Sequence, residues 1–348
     1  MRAAIAQINE GGISLGDDRY VQDFTLRPDN IVGFAIRLPQ ISDPRRDPLI
    51  NAAKTVIRDR FPEVKDVWVK VLEDPALAPP PNPAELPGTG KVRHILAVSS
   101  GKGGVGKTTV SVNLAVALAD MGHKVGILDT DIYGPNVPLM FGLEDYRFTP
   151  DNFVEENGVM VVEPAFNYGV KIVSRTFTQY GSQPLPWRGP MLHGIIRQFL
   201  SAQIRWGELD YLIVDLPPGT GDAQMTLIQA IALAGALIVT TPQAVALLDA
   251  QKGLQMFLNM GVPVLGAIEN MSYFVPPDLP DRRYDIFGSG GGHKTAETLG
   301  LPVLGCIPLE MALREGGDRG VPLVLSTPHS PAAQALCATA QAVREALP

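Results

Sequence analysis

The chain has 348 residues and a formal net charge of −7, from 29 basic and 36 acidic side chains. That balance argues against a general affinity for nucleic acid or for anionic membranes, and the length suggests about two domains. Two cysteines make no disulfide framework, and Met1 to Glu10 lacks the apolar core of a leader, so a reducing cytoplasm is expected.

In chain order, residues 1–74 predict a small α+β domain. Phe24 and Val32–Leu38 read as strands, Pro48–Phe61 as a helix, and Val64–Val71 alternates apolar and polar residues as a further strand does. Residues 75–90 include Ala-Pro-Pro-Pro-Asn-Pro and Leu-Pro-Gly-Thr-Gly, which can sustain neither helix nor strand, and predict a semi-rigid linker. From 91 to 348 apolar strands recur between helical segments through Leu325. This is the rhythm of an α/β domain with a doubly wound, mainly parallel sheet.

That domain opens on a short strand, Ile95–Val98, a turn at Ser99 and Ser100, and then Gly-Lys-Gly-Gly-Val-Gly-Lys-Thr from Gly101 to Thr108. The spacing G-x-x-x-x-G-K-[ST] between a strand and a helix, here Lys107–Met121 closed by Gly122, is that of a phosphate-binding loop. Glycines 101, 103, 104 and 106 let successive backbone N–H groups, with those of Val105, Thr108 and Thr109, converge on phosphate oxygens at a helix N-terminus. Lys107 is the candidate for the β- and γ-phosphates, and Thr108 for Mg²⁺.

Carboxylates are expected at the carboxyl ends of neighbouring strands, where open α/β sheets bind ligands. Val125–Leu128 runs into Asp129-Thr-Asp131, and Tyr211–Val214 into Asp215-Leu-Pro-Pro-Gly-Thr-Gly-Asp222. Asp215, ending an apolar run, is the second candidate for Mg²⁺, and Pro217–Gly219 a switch loop sensing the γ-phosphate. Asp131, in a first switch that precedes this one in the chain, is the candidate for orienting the attacking water, and Asp129 reads either as a further site carboxylate or as a strand-end cap. The apolar stretch Leu227–Leu248 is broken by Gln229, Gly235, Pro242 and Gln243, so it predicts helix, strand and helix start rather than a membrane span. No Asn/Thr-Lys-x-Asp guanine motif follows. Instead Asn270 in Ala267–Ser272 and Pro308 in Gly305–Pro308 end successive strands, and the Asn270 amide suits an adenine edge.

Lys102 adds a second lysine to a loop that already has one. Lys-Gly-Gly-Val-Gly-Lys-Thr-Thr resembles the deviant Walker A loop of the MinD/ParA/nitrogenase-iron-protein class, and the resemblance implies that Lys102 reaches across a homodimer to the partner's phosphates. In that class Asn270 and Pro308 match base-contacting positions. Five further motifs make the likeness closer: Asp129–Pro138, Trp187–Met191, Asp215–Asp222, Glu269–Ser272 and Ile286–Gly292 together look like the Mrp family of iron–sulfur cluster carrier ATPases. The family implies an ATP-hydrolysing homodimer that binds a bridging [4Fe–4S] cluster and passes it to apoproteins, and many members carry a small αβ domain like residues 1–74.

The chain departs from that pattern at one place. Mrp proteins usually have Cys-x-x-Cys after Asn-Met-Ser, whereas this chain has Tyr273-Phe-Val-Pro-Pro-Asp-Leu-Pro-Asp-Arg-Arg-Tyr284, with no thiol. The N-terminal unit likewise shows Leu38-Pro-Gln-Ile-Ser42 where relatives often have a cysteine. Cys306, in a buried-strand pattern, and Cys337, on an apolar helix stripe, read as core residues, and His293 as a solvated loop residue. No iron–sulfur ligand is identified. Two other readings compete: an ATP-gated scaffold without its own cluster, docking a partner through Pro276–Pro280, and a MinD/ParA-like spatial regulator. The membrane form of the latter needs a basic amphipathic C-terminal helix, yet Ser330–Pro348 has Arg344 as its one base.

Overall fold

The computed structural model describes residues 1–10, 13–17, 19–26, 30–38, 45–74, 92–131, 134, 136–156, 159–178, 204–288 and 291–348. The expected linker at 75–90, Trp187–Met191, and Ile132, Tyr133 and Pro135 of the first switch lie outside these residues. The chain divides into two compact units, Met1–Pro80 and Pro81–Pro348.

The first unit begins with helix α1 (Arg2–Ile5) and a two-residue ladder of β1 (Asn9–Glu10) with β2 (Ile13–Ser14). Its sheet has the order β3-β4-β5, from Val21–Leu26, Ile31–Leu38 and Asp66–Glu73, antiparallel then parallel. Period-two alternation sends Val32, Phe34, Ile36 and Leu38 of β4 to one face. Helix α2 (Arg46–Arg60) adds Leu49, Ala53 and Ile57, spaced four apart on one stripe, to the same core. Each such large side chain removed from water contributes roughly 1.5–3 kcal/mol.

The second unit is built on eight strands in the order β10-β11-β7-β12-β6-β13-β14-β15. In chain order they are β6 (Val92–Ser99), β7 (Val125–Asp129), β10 (Ala165–Asn167), β11 (Val170–Ser174), β12 (Leu209–Asp215), β13 (Gly235–Thr240), β14 (Val264–Phe274) and β15 (Val303–Leu309), with a separate hairpin of β8 (Phe153–Glu156) and β9 (Val159–Val162). All neighbours are parallel except β10, which runs antiparallel at the edge. A parallel sheet is covered on both faces, so its central strands are apolar throughout. Leu96 and Val98 of β6 join one core with Ile127, Tyr211 and Ile213, while Ile95 and Ala97 join the opposite one with Leu128, Leu212, Val214 and Trp206.

The helices are α3 (Lys107–Asp120), α4 (Val137–Met140), α5 (Asp222–Ala230), α6 (Ala244–Asn259), α7 (Gly291–Leu299), α8 (Met311–Arg319), α9 (Leu323–Ser326) and α10 (Pro331–Ala346). Every residue of α3 from Val110 to Leu118 is buried, because sheet and α10 flank it. Gly122, in the left-handed region at φ +92°, ends it. Leu227–Leu248 divides as expected into α5, β13 and the start of α6. Among the described residues no helix is long and apolar enough to cross a membrane.

Two expectations need correction. The run near Leu325 is the helical turn α9, not a strand; four apolar residues carry no period that tells the two apart, and here Val324 N–H bonds to Asn113 Oδ1 on α3. Strand β14 does not stop at Asn270 but continues to Phe274, through an irregular register after Asn270 and a left-handed Met271 at φ +53°.

Candidate nucleotide site

Strand β6 delivers the chain to the glycine loop at the carboxyl edge of the sheet, and α3 carries it away. The four glycines serve different needs. Gly104 and Gly106 hold φ +81°, a conformation that side chains resist. A Cβ on Gly101 would fall 2.2 Å from the Asp249 carbonyl carbon of α6, and one on Gly106 would fall 2.2 Å from Asn270 Nδ2. Around Gly103 and Gly104 there is open space for a ligand.

Beneath the loop, Lys107 and Asp215 are brought together from chain positions far apart. Lys107 Nζ lies 2.7 Å from Asp215 Oδ2, with 6% and 0% side-chain exposure. Thr108 Oγ1 donates to the same oxygen at 2.8 Å, and Ser111 Oγ to Asp215 Oδ1 at 2.5 Å. The Asp215 carbonyl accepts from both the Thr130 N–H and its hydroxyl. Ser111, one turn after the loop lysine, is a partner that the motif does not mark.

Asp129 stands beside Asp215 in register on β7. Its Oδ1 accepts from the Asp131 N–H at 3.1 Å and its Oδ2 from Ser174 Oγ at 3.0 Å, so it fastens the turn leading into Asp131. Burial, and then the negative charge of Asp215, push its pKa from 3.8 up to about 8, against the pull of the Lys107 ammonium, Ser174 and the Asp131 amide. Asp131 itself is half-buried, and its Oδ1 accepts from Gly134 N–H at 3.2 Å.

The candidate switch loop Pro217–Gly219 is tethered at both ends. Gly219, at φ +100°, donates its N–H to the Ser100 carbonyl, and Gln224 Nε2 bonds to the Pro217 carbonyl at 2.7 Å and to Ser99 Oγ at 3.0 Å. Gln224 was not apparent from the motif spacing. Lys102 is half-buried, and among the described residues its ammonium has no ion-pair or hydrogen-bond partner.

Asn270 and Pro308 meet at one pocket of about 230 Å³, which Gly106, Thr109, Met140 and Glu310 also line. Asn270 Nδ2 donates to the Val105 carbonyl at 2.8 Å, which fixes which end of the amide faces the loop. The Thr108 hydroxyl and the Asp215 carboxylate are hard oxygen donors within one hydrogen bond of each other, a donor set that fits Mg²⁺.

The segment after Asn-Met-Ser forms a closed loop. Phe274 and Tyr284 exchange both backbone hydrogen bonds at 2.8 Å, Leu279 N–H returns to the Pro276 carbonyl, and the Arg283 guanidinium stacks 4.1 Å over Tyr273. Leu279, Tyr284 and Ile286 are exposed on it. Both cysteines were expected in the core, but Cys306 and Cys337 are half-buried, because β15 is an edge strand and Cys337 lies at the margin of the α10 stripe. Burial, with the Glu269 charge, raises the pKa of Cys306. His293 is exposed on α7. Among the described residues no group of three or more His, Cys, Asp and Glu side chains could hold a metal ion.

Comparison with known proteins gives this arrangement a family. The profile described as ParA, NUBPL iron-transfer P-loop NTPase, matches residues 91–344. The iron–sulfur cluster carrier protein of Synechocystis sp. is 54% identical over 315 residues, 90% of this chain and 86% of its own length. The mouse iron–sulfur cluster transfer protein NUBPL is 47% identical over 247 residues, 70% of this chain and 74% of its own. Among solved structures, the ADP complex of a nucleotide-binding protein from Archaeoglobus fulgidus has a TM-score of 0.57 at 36% identity, covering 69% of this chain and 94% of that one. The loop, its buried aspartate and the parallel sheet that joins them are those of an ATPase, and the chain belongs to the ParA family of NUBPL-type iron-transfer P-loop NTPases.

Proposed function

We propose that the chain acts as a cytoplasmic ATP-hydrolysing homodimer that serves the delivery of iron–sulfur clusters to apoproteins. The observation that carries the reading is the division of labour between the two lysines. Lys107 is already engaged with Asp215 and Thr108 inside its own loop, whereas Lys102 has no such partner among the described residues. On ATP binding, Lys107 exchanges Asp215 for the β- and γ-phosphates, and the backbone N–H groups of residues 101–109 cradle them. Thr108 and Asp215 would hold Mg²⁺, which would supply positive charge beside the phosphate oxygens. Asp131 orients the water, and Lys102 completes the partner's site. Asn270 gives one Nδ2 hydrogen to the Val105 carbonyl, and its acceptor oxygen remains for an adenine amino group.

Cluster carriage is supported by the likeness to iron–sulfur cluster carrier and transfer proteins, yet the thiolates that such clusters need are missing from 273–284. The cluster is therefore cargo whose thiolates come from a partner or from the receiving apoprotein. Exposed Leu279, Tyr284 and Ile286 on the proline-rich loop favour the related reading of an ATP-gated scaffold that grips such a partner there.

The test separates the lysines. Lys102→Ala should bind ATP with wild-type affinity by calorimetry and lose turnover, while wild-type turnover per chain rises with protein concentration as dimers form. Equal binding defects in Lys102→Ala and Lys107→Ala would refute the cross-dimer role. Anaerobic reconstitution with iron and sulfide, followed by iron counting, tests the cargo reading, which stoichiometric cluster on the isolated chain would overturn.

A further inference from the structure

We propose that Glu269 is a positioning residue that couples the nucleotide loop to the segment 273–288. Glu269 is fully buried on β14, in register with Thr240 on one side and Cys306 on the other. Its two carboxylate oxygens are used separately. Oε1 accepts from the Ser272 hydroxyl at 2.5 Å, and Oε2 accepts a short hydrogen bond from the Thr295 hydroxyl. Ser272 precedes the excursion, and Thr295 lies on α7, after the chain has returned. One side chain thus holds both feet of the loop.

The next residue connects this clamp to the nucleotide. Asn270 Nδ2 bonds to the Val105 carbonyl, and Gly106 tolerates no Cβ against it, so loop and strand are in tight contact. Met271, between Asn270 and Ser272, holds φ +53°, a conformation that costs a residue with a Cβ about 1–2 kcal/mol. The Ser272–Glu269 bond spans that kink and opposes its relaxation. The donors are themselves buried, Ser272 at 1% and Thr295 at 0% exposure, so parting either from Glu269 would strand a buried polar group. A shift of Val105 and Gly106 on nucleotide binding is therefore transmitted through Asn270 to both feet together. At the far foot, Gly292 packs so closely that a Cβ would come 2.6 Å from Cys306 Sγ, which leaves α7 little room to move independently.

This coupling rests on the nucleotide site described above, so the test measures ATP binding separately. Full-length wild type, Glu269→Gln, Thr295→Val and Thr295→Ser are compared by calorimetry with ATP and by hydrogen–deuterium exchange of 273–288 with and without Mg·ATP. In wild type the nucleotide should change exchange in that segment by about fivefold or more, the lower range of allosteric coupling. Glu269→Gln and Thr295→Val should still bind ATP yet lose that response, while Thr295→Ser, which keeps the hydroxyl, should retain it. A merely structural role would raise exchange with and without nucleotide alike. Should Glu269→Gln fail to fold, the Thr295 pair decides. An unresponsive segment in wild type, or an undiminished response in Thr295→Val, overturns the coupling; absent ATP binding by wild type would refute the nucleotide site itself.

Discussion

Replacing Lys107 by alanine removes the one ammonium that, among the described residues, contacts Asp215, a carboxylate with no exposed surface. Breaking a buried pair from one side typically costs about 3–5 kcal/mol, because the remaining charge stays desolvated. Two features place this case near the lower bound, about 3 kcal/mol. Thr108 continues to donate to one Asp215 oxygen and Ser111 to the other. Asp129 adds no opposing charge below about pH 8, because it keeps its proton there. Asp215→Asn alone should cost less, and Lys107→Ala with Asp215→Asn should recover at least about 1 kcal/mol of the sum of the single losses, as groups in one network do. Urea unfolding of nucleotide-free protein, followed by the emission of buried Trp206, would measure all three variants. Strictly additive losses would show that the 2.7 Å contact carries no energetic coupling.

The remaining predictions concern the other groups of the site. Asp131→Asn should bind ATP and slow turnover by roughly 10²- to 10⁴-fold, with accumulation of ATP-bound dimer; wild-type turnover would assign water orientation to another group. Because the Asp129 pKa is raised from 3.8 to about 8, the folded chain holds in that interval a proton that the unfolded chain has released. Stability should therefore fall as pH rises from about 4 to about 8, by at most about 1.4 kcal/mol per pH unit from this group, and Asp129→Asn should remove that contribution, so identical pH slopes in urea unfolding would contradict the assignment. The Pro276–Leu279 turn brings the two positions close, so Pro276→Cys with Leu279→Cys should raise iron retained after anaerobic reconstitution well above wild type. Unchanged iron in that double variant would show that the loop cannot serve as a cluster site even with thiols.

The sequence alone determined whatever depends on neighbours along the chain. Glycine spacing and the strand and helix around it fixed the phosphate loop, and apolar runs ending in acid located Asp129 and Asp215 at the sheet's carboxyl edge. Alternation and proline content led to the expectation of a small unit over residues 1–74, and the structure divides the chain at Pro80. Only the tertiary structure decided what these groups touch. Ser111 meets Asp215 across 104 residues, Ser174 meets Asp129 across 45, and Thr295 meets Glu269 across 26. None of these has a local period or motif, because a hydroxyl in a helix or strand looks the same whether it faces solvent or a buried carboxylate. The same reason hid the continuation of β14: Met271 takes a left-handed conformation that its own side chain disfavours, and its neighbour Asn270 is bonded to Val105, 165 residues away, a contact that the fold assembles and the local sequence does not record.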